Sequence, residues 1–254
     1  MMRVLILGGT SEARLLAERL AARPALAVTL SLAGRTAAPA QQPVPVRSGG
    51  FGGAAGLADY LTRERVDILI DATHPYAGRI SANAAAAARA TDVRFVALRR
   101  PPWVECAGDH WSEADFLADA VRALGSAPRR VFAPLGRNDL VGLMQAPQHF
   151  YLIRSVDLVD PPLRLPHAFY VTGRGPFPEA DEITLMRMHG VDIVIAKNSG
   201  GDATYGKIAA ARALGVPVIM LRRPLLADVP SVETVAEAVA LIDHALGSAE
   251  ARGV

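Results

Sequence analysis

The sequence predicts an α/β fold made of two parallel-sheet domains that are related by internal duplication. An apolar strand pattern occurs twice, at residues 66–70 and 191–195, and each copy leads through a loop into an alanine-rich helix. The strand after each helix ends in the same four residues, Leu-Arg-Arg-Pro, at 98–101 and 221–224. Strands that alternate with helices in this way are typical of βαβ units in a parallel sheet.

Other elements of the two halves match in the same order. The first strand and its turn, residues 4–8, correspond to 131–136, and the glycine-rich run 49–53 corresponds to 173–178. Each half is expected to close with a polar-capped helix, at 112–124 and at 231–246. We therefore predict two Rossmann-like domains, residues 1–126 and residues 127–254, in which one frame carries two different sets of loops.

Each predicted element has a local cause. Residues 4–7 are wholly apolar, as in a strand covered on both faces. Ser11 or Thr10 can cap the first helix, which Arg23-Pro24 stops near Ala22. The other elements expected in the first half are a strand at 26–33, a loop with a brief third strand at 39–45, a helix at 54–65, a strand at 67–70, a helix at 81–90 and a strand at 93–98. The second half is expected to have strands near 130–134, 150–154, 168–172, 191–196 and 217–221.

The composition argues against several classes of protein. Hydrophobic residues make up 51% of the 254 residues and charged residues 20%, which indicates buried cores rather than disorder. A net charge of +2 does not by itself imply nucleic-acid binding. Cys106 is the single cysteine, so neither an intramolecular disulfide nor a thiolate metal cage is expected. The sequence shows no signal peptide and no membrane-spanning apolar run, so we expect a cytoplasmic protein without a metal site.

A glycine turn follows the first strand and leads into a helix, which is the usual context for binding a phosphate. Glycines let the backbone approach an anion, and free N–H groups at the helix start hold it. The turn departs from the G-x-G-x-x-G fingerprint, because Thr10 and Ala13 replace the second and third glycines. We expect a nucleotide cofactor here, bound by Gly8, Gly9, Thr10, Ser11 and Glu12.

The end of the second strand carries no carboxylate that could hold a ribose 2′-hydroxyl, as an NAD site would require. It carries hydroxyls and an arginine instead, which suits a 2′-phosphate and favours NADPH over NADH. The residues expected to bind the cofactor there are Ser31, Gly34, Arg35 and Thr36.

Two loops occupy matching places in the two halves and differ in their chemistry. Ligands of open α/β sheets bind at the carboxyl ends of the strands, where both loops lie. The first loop carries Asp71, Ala72 and Thr73 for the cofactor, and His74 and Tyr76 as hydrogen-bond or proton donors. The second loop offers a cation, an amide, hydroxyls and exposed backbone N–H groups, as expected of an anion cradle: Lys197, Asn198, Ser199, Gly200, Gly201, Thr204, Tyr205 and Lys207.

Together these motifs resemble the precorrin-6A reductases of cobalamin biosynthesis, a family that includes cobalt-precorrin-6A reductases. The resemblance rests on residues 7–13, 49–53, 71–77 and 197–201 and covers nearly the whole chain. It implies reduction of one double bond in a corrin-precursor macrocycle, with NADPH supplying hydride, to give precorrin-6B. With the cofactor mainly on residues 1–126, the polycarboxylate tetrapyrrole would lie between the halves, against residues 197–207.

Reduction of a carbon–carbon double bond also needs a proton. His74, Tyr76 and Lys197 are the candidate catalytic residues, and Tyr205 or water would be further proton sources. The resemblance does not separate the metal-free substrate from the cobalt-containing one, and handover of the product to neighbouring pathway enzymes is left open.

Other classes of protein fit the sequence less well. A short-chain dehydrogenase needs a Tyr-x-x-x-Lys pair, but Ile80 stands four residues after Tyr76, and Lys207 stands only two after Tyr205. A methyltransferase that uses S-adenosylmethionine would need an acidic residue on the second strand. A non-catalytic NADP(H)-binding sensor stays open as an alternative, although such a module has little use for Lys197 and Lys207 in a cleft.

Overall fold

A computed structural model describes residues 1–34 and 41–250 of the chain. It divides into two compact units, one formed by Met1–Pro101 with Pro224–Val254 and the other by Pro102–Arg223. In chain order, the strands are β1 Met2–Leu7, β2 Leu26–Leu32, β3 Val46–Ser48, β4 Ile68–Asp71, β5 Arg94–Leu98, β6 Trp111–Ala114, β7 Arg130–Ala133, β8 Phe150–Ser155, β9 Ala168–Thr172, β10 Ile193–Lys197, β11 Val218–Leu221 and β12 Ser231–Val232. The helices are α1 Ser11–Ala21, α2 Gly53–Arg63, α3 Gly78–Thr91, α4 Leu117–Ala123, α5 Arg137–Leu140, α6 Glu179–Met188, α7 Gly206–Leu214 and α8 Val235–Glu250.

Each unit contains one six-stranded parallel sheet, and the two sheets have the same topology. The order is β12-β5-β4-β1-β2-β3 in the first unit and β6-β11-β10-β7-β8-β9 in the second. The registers also agree, because Val4 pairs with Ile68 and Val28 in one sheet as Val131 pairs with Ile193 and Tyr151 in the other. The predicted fold class, two Rossmann-like domains related by duplication, is confirmed.

The apolar strands are buried because helices cover both faces of each sheet. In the first unit, Val4 and Ile6 face a layer that includes Leu16 and Leu20 of α1 and Ile242 of α8. Leu5 and Leu7 point to the other face and pack with Leu57 of α2 and with the alanines of α3. Alternate residues of one strand thus enter two cores, which accounts for a strand with no polar position.

The sixth strand of each sheet comes from the other half of the chain. The chain leaves the first unit at Pro101 and supplies β6 to the second sheet, where Trp111 is in register with Val218 and Ala114 with Leu221. It returns to the first unit at Pro224 and supplies β12, where Val232 is in register with Leu98. The unit boundaries therefore lie at residues 101 and 223, not at residue 126 as predicted.

The same exchange corrects the two helices predicted to close the halves. Residues 112–124 contain β6 before the short helix α4, and residues 231–246 begin with β12 before α8. Both strands are short and rich in polar residues, so only their pairing with a distant strand makes them strands. The brief third strand is at Val46–Ser48, directly after the proline-rich stretch that was expected to contain it, since proline cannot donate to a ladder.

None of the helices in the described part of the chain is both long and apolar enough to cross a membrane.

Candidate functional site

The glycine turn after β1 leaves its backbone open on one side and packed on the other. Gly9 has a φ of +118°, and a Cβ added there would meet no atom within 4 Å. A Cβ on Gly8 would lie 2.6 Å from Leu30 Cδ1, so a larger residue at this position would require the Leu30 side chain to move. The turn ends at the N-terminus of α1, where the free N–H groups and the helix dipole attract an anion. The open space at Gly9 fits a phosphate group.

Thr10 connects this turn to the loop after β4. Its hydroxyl accepts a hydrogen bond from Ala13 N at 3.1 Å, which caps α1. The same hydroxyl donates to the carbonyl oxygen of Ala72 at 2.8 Å. Thr10 and Ala72, which were predicted to bind cofactor, thus hold the two loops at the carboxyl edge of the sheet together.

A charge pair lies at the start of α1. Glu12, in the first helical turn beside Ser11, forms an ion pair with Arg100, which follows β5. Both side chains are less than one quarter exposed. The pair neutralises the carboxylate that would otherwise repel an anion at the helix N-terminus.

The end of β2 brings Ser31 beside Arg47, a residue that the sequence reasoning missed. Ser31 is buried and stands in register with Arg47 of β3. Nη1 of Arg47 donates to Ser31 Oγ at 3.3 Å and to the Gly49 carbonyl at 2.6 Å. Nη2 donates to the Gly50 carbonyl at 2.6 Å. It also lies 3.7 Å from the centre of the Phe51 ring.

The structure says less about the other residues that were predicted to bind the cofactor after β2. Gly34 has a φ of +69° and approaches the backbone of Gly49. Arg35 and Thr36 lie outside the residues that the structure describes. The signal that could have identified Arg47 is a single cation at the end of a short strand, directly before a glycine-rich loop.

Asp71 closes the turn after β4 rather than pointing to solvent. Its carboxylate is buried and accepts from Thr73 N at 3.1 Å and from Thr73 Oγ1 at 2.6 Å. Such a turn, in which an aspartate side chain binds the backbone two residues on, is a common way to fix a loop. Asp71 and Thr73 therefore position the residues that follow them.

His74 is held by the backbone in a defined tautomer. Its Nδ1 lies 3.3 Å from Tyr76 N, which donates to it, so in the neutral ring the proton is on Nε2. The rings of His74 and Tyr76 are 5.6 Å apart at an angle of 43°. This arrangement makes Nε2–H of His74 a hydrogen-bond donor at the carboxyl edge of the first sheet.

In the second unit, Lys197 at the end of β10 is paired with a carboxylate. Its Nζ lies 2.7 Å from Oδ2 of Asp139 in α5. Asp139 was not predicted from the sequence. A Cβ on Gly136 would lie 3.2 Å from the same Asp139 oxygen, so this carboxylate lies against the turn that corresponds to Gly9.

Asn198 braces the segment that enters the second unit. Its amide accepts from Trp103 N at 2.7 Å and donates to the Trp103 carbonyl at 2.9 Å. The Trp103 indole donates to the Gly201 carbonyl at 3.0 Å, and Arg223 donates to the carbonyls of Asn198 and Ser199. The Asn198 side chain was predicted to bind substrate, but both its donor and its acceptor are directed at the backbone.

The middle of this loop is shaped by two glycines with positive φ. Gly200 has a φ of +66° and Gly201 a φ of +74°, and Ser199 Oγ donates to the Lys197 carbonyl at 3.3 Å. Positive φ values at two successive residues favour glycine, and glycine leaves the backbone uncovered by side chains. Gly200 and Gly201 are therefore the part of the loop where a ligand can come closest to the backbone.

The end of the loop is held by a network of charged and aromatic groups. Arg212 donates to both carboxylate oxygens of Asp109 and to the Tyr205 hydroxyl, and these hydrogen bonds raise the pKa of Arg212 further above its ordinary value. Lys207 is 4% exposed, and its Nζ lies 2.6 Å from the Thr204 carbonyl and 4.6 Å from the centre of the Trp103 ring. These contacts brace Thr204, Tyr205 and Lys207 within the loop.

The predicted residues thus form two groups, one at the carboxyl edge of each sheet. Gly8 to Glu12, Ser31 and the Asp71–Tyr76 loop meet in the first unit, and residues 197–207 form the second group. Among residues 1–34 and 41–250, no group of three His, Cys, Asp or Glu side chains could hold a metal ion.

Comparison with known proteins identifies the family of this chain. Residues 3–243 match the family model described as Precorrin-6x reductase CbiJ/CobK. A precorrin-6A reductase from Sinorhizobium sp is 55% identical over 97% of this chain and 95% of its own length. One from Rhodobacter capsulatus is 51% identical over 88% of this chain and 89% of its own. The solved structure of a CobK precorrin-6A reductase superimposes with a TM-score of 0.93 at 47% identity, covering 96% of this chain and 97% of that one. The chain belongs to the CbiJ/CobK family of precorrin-6x reductases.

Proposed function

We propose that this protein reduces one double bond of the precorrin-6A macrocycle to give precorrin-6B in cobalamin biosynthesis, with NADPH as the hydride donor. Membership of the reductase family supports the reaction. The observation that carries the cofactor assignment is the open glycine turn of the first unit, at the N-terminus of α1. The cytoplasmic location and the handover of product stay predictions.

The duplicated frame supports placing the cofactor on the first unit. The strand registers make Gly8 and Gly9 equivalent to Leu135 and Gly136 of the second unit. Leu135 is buried, and Gly136 has an ordinary φ of −69° with the Asp139 carboxylate beside it. In the second unit a carboxylate of the chain itself takes the place that an anion would need, whereas the space at Gly9 is open.

When bound, NADPH supplies the hydride, and the protein must bind and orient it. The chain offers the open backbone at Gly9 and the N-terminus of α1 for the pyrophosphate. Asp71 and Thr73 fix the next loop, so that His74 can present Nε2–H toward a ligand at this edge of the sheet. We propose that His74 hydrogen-bonds the ligand through Nε2–H, because the hydrogen bond from Tyr76 N to Nδ1 leaves Nε2 as the protonated nitrogen. Water supplies the proton for the reduced carbon, since a neutral imidazole is too weak an acid to give up its Nε2 proton.

The second group suits the carboxylate side chains of a tetrapyrrole. Lys197 provides a cation that Asp139 keeps in place, and the glycine turn at Gly200 and Gly201 lets a ligand come close to the backbone. Asn198, Tyr205 and Lys207 act through the loop that they brace. We therefore propose Lys197 and the 199–201 turn as substrate contacts, and the other three as positioning residues.

The reaction is tested by label transfer with the purified protein. NADPH deuterated at the transferable position is mixed with precorrin-6A, and NADH is used in parallel. We expect deuterium in the macrocycle, and faster transfer from NADPH. The cobalt-containing substrate, run in the same way, assigns the branch of the pathway. If no label reaches either macrocycle although NADPH binds tightly, the enzyme assignment is wrong and a nucleotide-binding module remains.

A further inference from the structure

Arg47 carries a positive charge that no carboxylate of the described residues neutralises. Its three hydrogen-bond partners, Ser31 Oγ and the carbonyls of Gly49 and Gly50, are all neutral. Residues 35–40, which the structure does not describe, contain no Asp or Glu. Partly buried charges are normally paired, because leaving water without a partner is costly. Arg47 is therefore a cation whose charge the described residues do not balance.

The second unit shows the same feature with its counter-ion present. Arg154 stands on β8 at the position equivalent to Ser31 and lies 3.7 Å from the centre of the Phe177 ring, just as Arg47 lies 3.7 Å from Phe51. Arg154 forms an ion pair with Glu182 of α6, and both side chains are buried. An arginine thus lies against the phenylalanine after β3 or β9 in both units, although it comes from β3 in the first and from β8 in the second. Of these two arginines, only Arg154 has a carboxylate partner among the described residues.

The position of Arg47 indicates which anion it would bind. In dinucleotide-binding sheets, the ribose of the adenosine lies at the carboxyl end of the second strand, which here ends at Ser31 and Leu32. Arg47 reaches Ser31 from the neighbouring strand in register. Among the described residues, its Nε–H and one proton of Nη2 have no acceptor. A guanidinium with unused N–H groups can donate to the oxygens of a phosphate.

We propose that Arg47 binds the 2′-phosphate of NADPH and thereby determines the preference for NADPH over NADH. This inference rests on the proposed function, because it requires the cofactor to lie on the first unit. The three neutral acceptors and the Phe51 ring hold the guanidinium in place before the ligand arrives, so that little side-chain entropy is lost on binding.

The test measures nucleotide affinity directly, by isothermal titration calorimetry with adenosine 2′,5′-bisphosphate and with 5′-AMP. We expect Arg47→Met to weaken the bisphosphate by about tenfold to about a hundredfold, the range for losing hydrogen bonds to a charged group. The affinity for 5′-AMP should not change. Arg47→Lys keeps the charge without the fork, so it should give an intermediate loss, and it serves as the second variant if Arg47→Met does not fold.

Two further variants serve as controls. Arg63→Met removes a nearby, largely exposed guanidinium that faces the Tyr60 ring, and it should leave both affinities unchanged. Arg35→Met removes the arginine that was predicted from the sequence to bind the 2′-phosphate. If Arg35→Met abolishes the discrimination and Arg47→Met does not, Arg47 is not the determinant.

The remaining outcomes separate this inference from the proposed function. If Arg47→Met weakens both nucleotides equally, Arg47 only supports the glycine-rich loop, and the inference is overturned while the reductase stands. If the unmodified protein binds adenosine 2′,5′-bisphosphate no better than 5′-AMP and shows no affinity for NADPH, the cofactor assignment itself is wrong. Label transfer from NADPH that persists in a variant without discrimination would support both.

Discussion

The buried ion pair between Arg154 and Glu182 gives the sharpest test of how the second unit is held together. Glu182 is 2% exposed and its Oε2 has no hydrogen-bond partner among residues 1–34 and 41–250, so Arg154 is the group that neutralises it. Arg154→Met keeps much of the side-chain volume but leaves a carboxylate alone in the interior. Breaking a buried pair in this way costs about 3–5 kcal/mol. For a chain of this size, that loss corresponds to a Tm lower by about 6–20 °C.

The assay is differential scanning calorimetry on three variants. Arg154→Met should lose stability, and adding Glu182→Leu should restore most of it, because burial of two apolar side chains removes the unpaired charge. Arg14→Met breaks an exposed pair with Glu18 on α1 and should change the free energy of unfolding by less than about 1 kcal/mol. If the double variant is as unstable as Arg154→Met alone, the loss comes from packing on Phe177 and the electrostatic reasoning is refuted.

Three other changes have defined outcomes. Asp139→Asn should raise the KM for the macrocycle with a smaller effect on kcat, because Lys197 would keep its charge but lose the carboxylate that orients it. An unchanged KM in steady-state kinetics would show that Asp139 does not position Lys197 for substrate. Burial, aided by the charge of Arg129, lowers the pKa of His149 below 6.5, so the folded state favours the neutral ring while the unfolded chain takes up a proton. The free energy of unfolding should therefore fall as the pH drops below 6.5 toward the folded pKa. Urea unfolding of His149→Gln should show a weaker dependence of this free energy on pH in that window. Burial raises the pKa of Tyr151 from 10.0 to about 12, so stability should fall as the pH rises from 10.0 to about 12; tyrosinate absorbance should show one late residue in the wild type that Tyr151→Phe lacks.

The sequence was sufficient for the frame and insufficient for the pairing of its last strands. Residues 4–7 are all apolar because each side chain packs in one of two hydrophobic cores, one on either face of the sheet. This run of apolar residues is visible in the local sequence, so the strand could be predicted. The local pattern of Trp111–Ala114 does not predict a strand, because these four residues, two apolar and two polar, form one only through pairing with β11. The boundary predicted at residue 126 was wrong for the same reason, since strand exchange is a non-local event.

The candidate residues divide in a similar way. Loop composition pointed to His74 and Lys197, and the structure places both at the carboxyl edges of their sheets; their roles stay predictions. Composition could not show that Asn198 and Lys207 contact Trp103, because an amide or a cation has the same local signature whatever it contacts. Arg47 was missed because its proposed role depends on its register with Ser31 in a neighbouring strand, which is not visible along the chain.

Comparison of the two units explains how one frame can serve two purposes. Duplication gives each sheet the same strand order and the same turn after its first strand. In the second unit, the chain fills both anion positions itself, with Asp139 at the turn and Glu182 against the stacked arginine. In the first unit, the turn at Gly9 is open, and no carboxylate of the described residues pairs with Arg47. A dinucleotide with a pyrophosphate and a 2′-phosphate would supply both charges. Replacing Gly9 by aspartate should therefore weaken NADPH more than replacing it by asparagine, which has the same strain at a φ of +118° but no charge to repel the pyrophosphate.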